Sequence, residues 1–280
     1  MPLSGEGEVM QIGRTVRAAG KRIAAVPGIR QVLEALYERR FAREVPETNF
    51  YRGVFDTFAA AQASAPKTRP VGYDNQDSAE LYRERTRRVY ISDYPVLFWL
   101  ARLLDGGATS VFDIGGHIGV GYYAYQRYLR YPDAMRWRVL DVPAVNAAGA
   151  AWARDHDPQR RIDFTDRPAD ADGFDIVFAS GSLQYLDYTL ADLLGSLTQP
   201  PKHLVINLMP IHMTESFFTL QNMGTAFCPY RVMSEREFID GLKARGYALQ
   251  DRWENPDRRC KIAFRPEQSL DRYFGFCFSR

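Results

Sequence analysis

The run Ser110-Val111-Phe112-Asp113-Ile114-Gly115-Gly116-His117-Ile118-Gly119 constrains the fold more than any other stretch of the chain. A short apolar strand ends in an acid, turns through paired glycines and opens into a helix. That order belongs to open α/β sheets, whose ligands sit beyond the carboxyl ends of parallel strands. Glycine adopts φ > 0 without penalty and lets backbone N–H groups come close to a ligand. The helix start adds unpaired donors and a partial positive charge. Asp113 narrows the ligand class: a carboxylate at the tip of the strand suits a cationic or hydroxyl-bearing molecule, not a pyrophosphate.

The alternation around this run is regular. Ser92-Asp93 and Pro95 open a helix with an apolar face of Val96, Leu97, Trp99, Leu100, Leu103 and Leu104, ended by Asp105-Gly106-Gly107. Strands are expected at 110–114, 137–142, 162–165, 175–180 and 204–208, with helices at 122–130, 143–153 and 190–197. Ser234 and Glu237 have the spacing of a capping box for a further helix that stops at Gly246. Segments 247–253 and 273–278 close the sheet as an antiparallel pair. The expected fold class is α/β, Rossmann-like, with a mostly parallel sheet and helices on both faces. Residues 1–90 are expected to form an N-terminal helical extension and lid, and residues 91–280 the ligand-binding domain. Within the extension, 49–55 reads as a short strand or an ordered loop, 57–65 as a small helix and 66–77 as a loop. Pro27-Gly28 divides a helical pattern over 9–43 in two. The first half carries Arg14, Arg17, Lys21 and Arg22, so residues 9–25 read either as a membrane-surface helix or as a helix that caps the domain or meets a second copy in a homodimer.

Composition excludes several classes. The chain has 280 residues and a formal net charge of +2, so no global field recruits nucleic acid. No run reaches the roughly 18 apolar residues of a membrane span. Cys228, Cys260 and Cys277 are far apart and read as free thiols in a reducing, cytoplasmic setting. No Cys/His cluster with zinc-ligand spacing occurs, and no metal is expected.

Chemistry-bearing residues fall at successive strand ends. Asp113, Gly115, Gly116 and Gly119 follow the first strand. Asp141 follows the second, where a carboxylate can hold both ribose hydroxyls or cap a helix. Ser180-Gly181-Ser182 follows the fourth, and Asn207 and His212 lie at and beyond the fifth. A sulfonium, an amino group and a ribose suit this set, which points to S-adenosylmethionine. The 113–119 segment resembles the first motif of class I S-adenosylmethionine-dependent methyltransferases. Leu140-Asp141-Val142-Pro143 resembles the segment after their second strand, and 175–186 resembles their fourth-strand motif. More narrowly, Leu183-Gln184-Tyr185-Leu186, Thr219-Leu220-Gln221-Asn222 and Cys228-Pro229-Tyr230-Arg231 resemble a bacterial family of methyltransferases encoded with surface-polysaccharide genes. The resemblance implies a seven-stranded sheet, S-adenosylmethionine as cofactor and methylation of a small molecule or saccharide-type acceptor at oxygen or nitrogen. It implies that Asp113 and the glycines lie by the methionine end, that Asp141 takes the ribose, that Val142 and Phe164 flank the adenine, and that Ser180, Gly181 and Ser182 border the transfer point.

Plant-type O-methyltransferases carry a catalytic His after the fourth strand; here Gln184 and Tyr185 stand there, and neither is a good base at neutral pH. His212 is the nearest substitute, since imidazole titrates near neutrality; otherwise it is a loop residue bonded to backbone. Tyr185, Gln221, Asn222, Tyr230 and Arg231 are candidate acceptor-binding residues, with loop and core architecture as the other reading. Two rival functions stand beside this one. A non-catalytic scaffold can retain the fold. A nicotinamide-dependent oxidoreductase is suggested by Gly119-Val120-Gly121-Tyr122-Tyr123-Ala124, which matches G-x-G-x-x-A with Asp141 at suitable spacing, although the match starts late after the strand.

Overall fold

The structure, a computed structural model, describes residues 27–46, 49–72 and 83–280. The basic segment 9–25 and residues 73–77 of the expected loop lie outside the described residues. The chain forms two compact units, Met1–Val45 and Pro46–Arg280. In the first, helix α1 (Pro27–Arg43) starts at the proline that divides the sequence pattern. Ile29, Val32, Leu33 and Leu36 on it are exposed.

The second unit holds the remaining described elements, in the order β1 (Phe50–Phe55), α2 (Phe58–Ala63), α3 (Tyr94–Asp105), β2 (Ser110–Ile114), α4 (Val120–Tyr125), β3 (Arg136–Leu140), α5 (Pro143–His156), β4 (Ile162–Thr165), β5 (Ile176–Ser180), α6 (Leu190–Ser196), β6 (His203–Met209), β7 (Ile211–His212), β8 (Phe217–Asn222), β9 (Phe227–Ser234), α7 (Glu235–Lys243), β10 (Ala248–Asn255) and β11 (Tyr273–Ser279). Seven strands form one sheet in the order β10-β11-β6-β5-β2-β3-β4. The pairs among β2 to β6 are parallel, and β11 runs antiparallel to both its neighbours. This is the Rossmann-like, mostly parallel arrangement expected from the sequence.

Alternation along the central strands builds a core on each face. Phe112, Val177, Leu204 and Phe276 face one way, against α6 and α7. Val111, Trp137, Phe178 and Val205 face the other, against α3 and α4. Tyr122 and Tyr125 of α4 join the second core, while Tyr128 beyond it is exposed. The three thiols are buried, and burial pushes those of Cys228 and Cys277 up to about 12.

Two local expectations change. The Asp93 carboxylate turns back to accept the Tyr90 N–H, so it caps the preceding 3-10 turn and makes no cap to α3. At α7, Ser234 Oγ accepts the Glu237 N–H as expected, but the Glu237 carboxylate accepts the Ser216 hydroxyl, so half of the box forms.

A second sheet, of order β1-β8-β9-β7, was not foreseen. Strand β1 pairs antiparallel with β8, placing Phe50 opposite Asn222. Residues 50–55, assigned from sequence to an N-terminal extension, are thus a strand of the second compact unit.

Candidate functional site

The glycine turn is packed against its own protein. Gly115 has φ +71°, and a Cβ there would overlap the Cβ of Ser182 beyond β5. A Cβ on Gly116 would overlap the Asp113 carboxylate, and one on Gly119 (φ +89°) would overlap the Ile162 side chain from β4. The Gly115 N–H donates to Leu140 O at 2.7 Å, holding the turn to the end of β3. Neighbouring strands therefore demand the glycines whether or not a ligand passes over them.

Asp113 lies beneath this turn, not on its rim. It is 1% exposed, and the Trp137 indole donates to its Oδ2 at 3.1 Å. Burial pushes its carboxyl up to about 8; Asp141 adds to the shift and Trp137 opposes it. Strand alternation turns the Asp113 side chain into the core on the α3 and α4 face.

Asp141, just beyond β3, keeps a part-exposed carboxylate. Its Oδ2 accepts the His117 N–H at 2.9 Å, and its Oδ1 accepts the Val142 N–H at 2.8 Å. His117 has φ +57°, a costly conformation for a residue with a Cβ, and this bond ties it down. Val142 is the N-cap of α5 and is part-exposed; Phe164 on β4 lays its ring where a side chain on Gly149 would stand. One turn into α5, Asn146 Nδ2 donates to Asp141 O and Thr165 O, both at 2.8 Å, bridging the ends of β3 and β4. Its Oδ1 is buried and accepts no hydrogen bond. Sequence reasoning missed Asn146, because an Asn four residues into a helix carries no motif signal.

Beyond β5, Ser182 donates its hydroxyl to Ile114 O, bonding the two strand ends that flank the turn. Gly181 (φ +69°) donates to Asn207 O at 2.9 Å. Asn207 is a structural hub: its amide bonds Ser92 O and Ser180 Oγ and accepts from Trp253 and Asn255. Leu208 beside it has φ +54°, where the β6–β11 register shifts between Phe274 and Phe276. A left-handed non-glycine residue in a bulge at a strand end is a recurrent mark of functional edges.

The expected acceptor-binding residues form a buried polar chain. Tyr185 Oη donates to Gln221 Oε1 at 2.9 Å, and Gln221 Nε2 donates to Tyr51 Oη at 3.3 Å. Tyr51 Oη lies 3.4 Å from Tyr273 Oη, which is 2.6 Å from Tyr230 Oη. Gln221, Asn222 and Tyr230 are fully buried, and the chain ties the small sheet to β11. Asn222 Oδ1 accepts from Arg69 and from the Gly224 N–H. Arg231 Nη2 donates to Leu186 O and Asp187 O, fastening the segment after β5. Tyr185 and Arg231 are the part-exposed members of the five, and Tyr185 stands beside the β5 end.

His212 is bonded within its own loop. Its Nε2 is 2.9 Å from Glu267 O, and its Nδ1 accepts the N–H groups of Thr214 and Glu215 at 3.4 and 3.2 Å. Both ring nitrogens are committed to the loop. The cleft it lines, about 370 Å³, is shared with Arg252, Glu254 and Arg272 and includes no residue of the glycine turn. The G-x-G-x-x-A match is also helical: Gly119 is the N-cap of α4, and Gly121 and Ala124 lie inside it, Gly121 packing on Phe178. Among the described residues no group of three or more His, Cys, Asp or Glu is placed to hold a metal, and no helix is long and apolar enough to cross a membrane.

No family model and no curated protein matches the chain. Solved structures do resemble it. An S-adenosylmethionine-dependent methyltransferase from Mesorhizobium loti is 17% identical, with a TM-score of 0.44 over 68% of this chain and 98% of that one. The Burkholderia thailandensis 1,6-didemethyltoxoflavin-N1-methyltransferase, bound to 1,6-didemethyltoxoflavin and S-adenosylhomocysteine, is 17% identical, with a TM-score of 0.44 over 68% and 78%. An O-methyltransferase family protein from Burkholderia thailandensis is 14% identical, with a TM-score of 0.47 over 89% and 69%.

Proposed function

We propose that the carboxyl edge of the large sheet binds S-adenosylmethionine and that the protein methylates an oxygen or nitrogen of a small-molecule or saccharide-type acceptor. The observation that carries this reading is Asp141: a part-exposed carboxylate at the end of β3, locked by two backbone N–H groups beside the glycine turn. A rigid acceptor there matches a ribose diol. The buried, undonated Oδ1 of Asn146 supplies a second fit, since an exocyclic amine is the donor it lacks. On this reading Val142 and Phe164 flank the adenine, and the Gly115–Gly116 turn with Ser180, Gly181 and Ser182 borders the amino-acid tail.

When bound, the cofactor supplies a methyl carbon already activated by a positive sulfur. The protein's part is then to hold, align and shield the partners, and alignment alone is worth ~7–11 kcal/mol of barrier. With His212 committed to its loop, the chain favours acceptors whose nucleophilic atom needs little help with its proton, such as an amine or an acidic hydroxyl. Calorimetry with S-adenosylhomocysteine and with NAD tests the reading: the first is expected to bind and the second not. Binding of NAD alone would overturn it. A mass-spectrometric screen for methyl gain across amines, phenols and nucleotide sugars then identifies the acceptor, and a uniformly negative screen would favour a scaffold.

A further inference from the structure

Gln184 is one of the described side chains that bury a polar atom without a hydrogen-bond partner. It sits in the 3-10 turn Leu183–Tyr185 that follows the Ser180-Gly181-Ser182 segment, and it is 3% exposed. Its Oε1 is buried and accepts no hydrogen bond. Its Nε2 lies 3.8 Å from where a Cβ would stand on Gly181, so the amide rests over the end of β5, alongside Leu208 at the β6 bulge. A buried amide oxygen without a donor is a standing cost, and a bound molecule that donates to it relieves that cost. Nothing in the packing requires an amide here: Leu183 beside it is already core, and a methionine has similar bulk.

We infer that Gln184 is a positioning residue whose Oε1 accepts a hydrogen bond from an N–H or O–H donor of the molecules bound at the β5 edge. The inference rests on the S-adenosylmethionine reading above. The donor has two sources: the group about to be methylated, or the α-ammonium of the cofactor. Either way the amide fixes the direction of an approaching lone pair or of the methyl-bearing tail, a contribution to alignment that asks for no proton transfer.

Three probes separate the sources. S-Adenosylhomocysteine carries the ammonium but no donor at the transfer point; sinefungin carries an amine there as well; 5′-methylthioadenosine lacks the amino-acid tail. Each is titrated calorimetrically into the wild-type protein and into Gln184→Met and Gln184→Glu. If the donor is at the transfer point, sinefungin binds the wild type more tightly than S-adenosylhomocysteine. Gln184→Met then removes that margin by ~10- to 100-fold, the span of a hydrogen bond to a charged group. If the donor is the ammonium, Gln184→Met weakens both tailed ligands alike and leaves 5′-methylthioadenosine unchanged. Gln184→Glu, which keeps an acceptor, retains binding in both cases. A thermal melt of the unliganded protein is the structural control: Gln184→Met is expected to melt at or above the wild type. The inference is overturned if Gln184→Met binds all three probes like the wild type, or weakens all three equally while lowering the melting temperature. A wild type that binds none of them would instead sink the cofactor reading beneath it.

Discussion

Asp113 and Asp141 end neighbouring strands, and their environments give them different work. Asp113 is enclosed, and its carboxyl titrates near 8 because burial disfavours the charge. Its folded value stands above the unfolded 3.8, so the folded state binds the extra proton, and stability falls as pH rises from about 4 to about 8. Asp113→Asn keeps an acceptor for Trp137 and removes the titration. Its melting temperature is expected to stay level across that window while the wild type's declines, as thermal melts at stepped pH would register. Asp141 is held by backbone donors and stays accessible. Asp141→Ala is expected to weaken S-adenosylhomocysteine by ~1.5–3 kcal/mol, read by calorimetry; unchanged affinity in a folded variant would move the ribose elsewhere. Both acids were legible in the sequence, but their fates were not: one-dimensional spacing marks a strand end without saying which side of the sheet its last side chain takes.

At the scale of elements, the central strands β2 and β5 stood out because they are short runs buried on both faces, and the expected bounds 110–114 and 162–165 coincide with β2 and β4. The small sheet was hidden by chemistry. Thr219, Gln221 and Asn222 on β8 are wholly buried, yet in a sequence they read as loop residues, since only tertiary hydrogen bonds make polar residues at home in a core. Removing one link should show their worth: Gln221→Leu strips partners from Tyr185 and Tyr51 and is expected to cost ~1–3 kcal/mol in urea denaturation. The glycine turn was recognised from its motif, but its demand comes equally from packing. Gly115→Ala is expected to destabilise by ~1–3 kcal/mol, from its left-handed backbone and the overlap with Ser182. Adding Ser182→Gly should return part of that loss, and a double variant no better than the single would point to backbone strain alone.

For the whole molecule, the boundary between compact units falls after Val45. Composition could not place it, because the pairing that recruits β1 joins residues separated by most of the chain. Among the described residues, both sheets and the three apolar cores lie within Pro46–Arg280. A fragment of those residues is expected to unfold in one cooperative transition by calorimetry; a broad, non-cooperative melt would place part of its core in the first unit. The buried thiols turn that architecture into a set of clocks. Cys228 lies on β9 of the small sheet and Cys277 on β11 of the large one, so alkylating reagents reach each sulfur only when its own sheet opens. Labelling rates at the two positions therefore time the breathing of each layer separately, and a ligand that seals the carboxyl edge will slow whichever layer it spans.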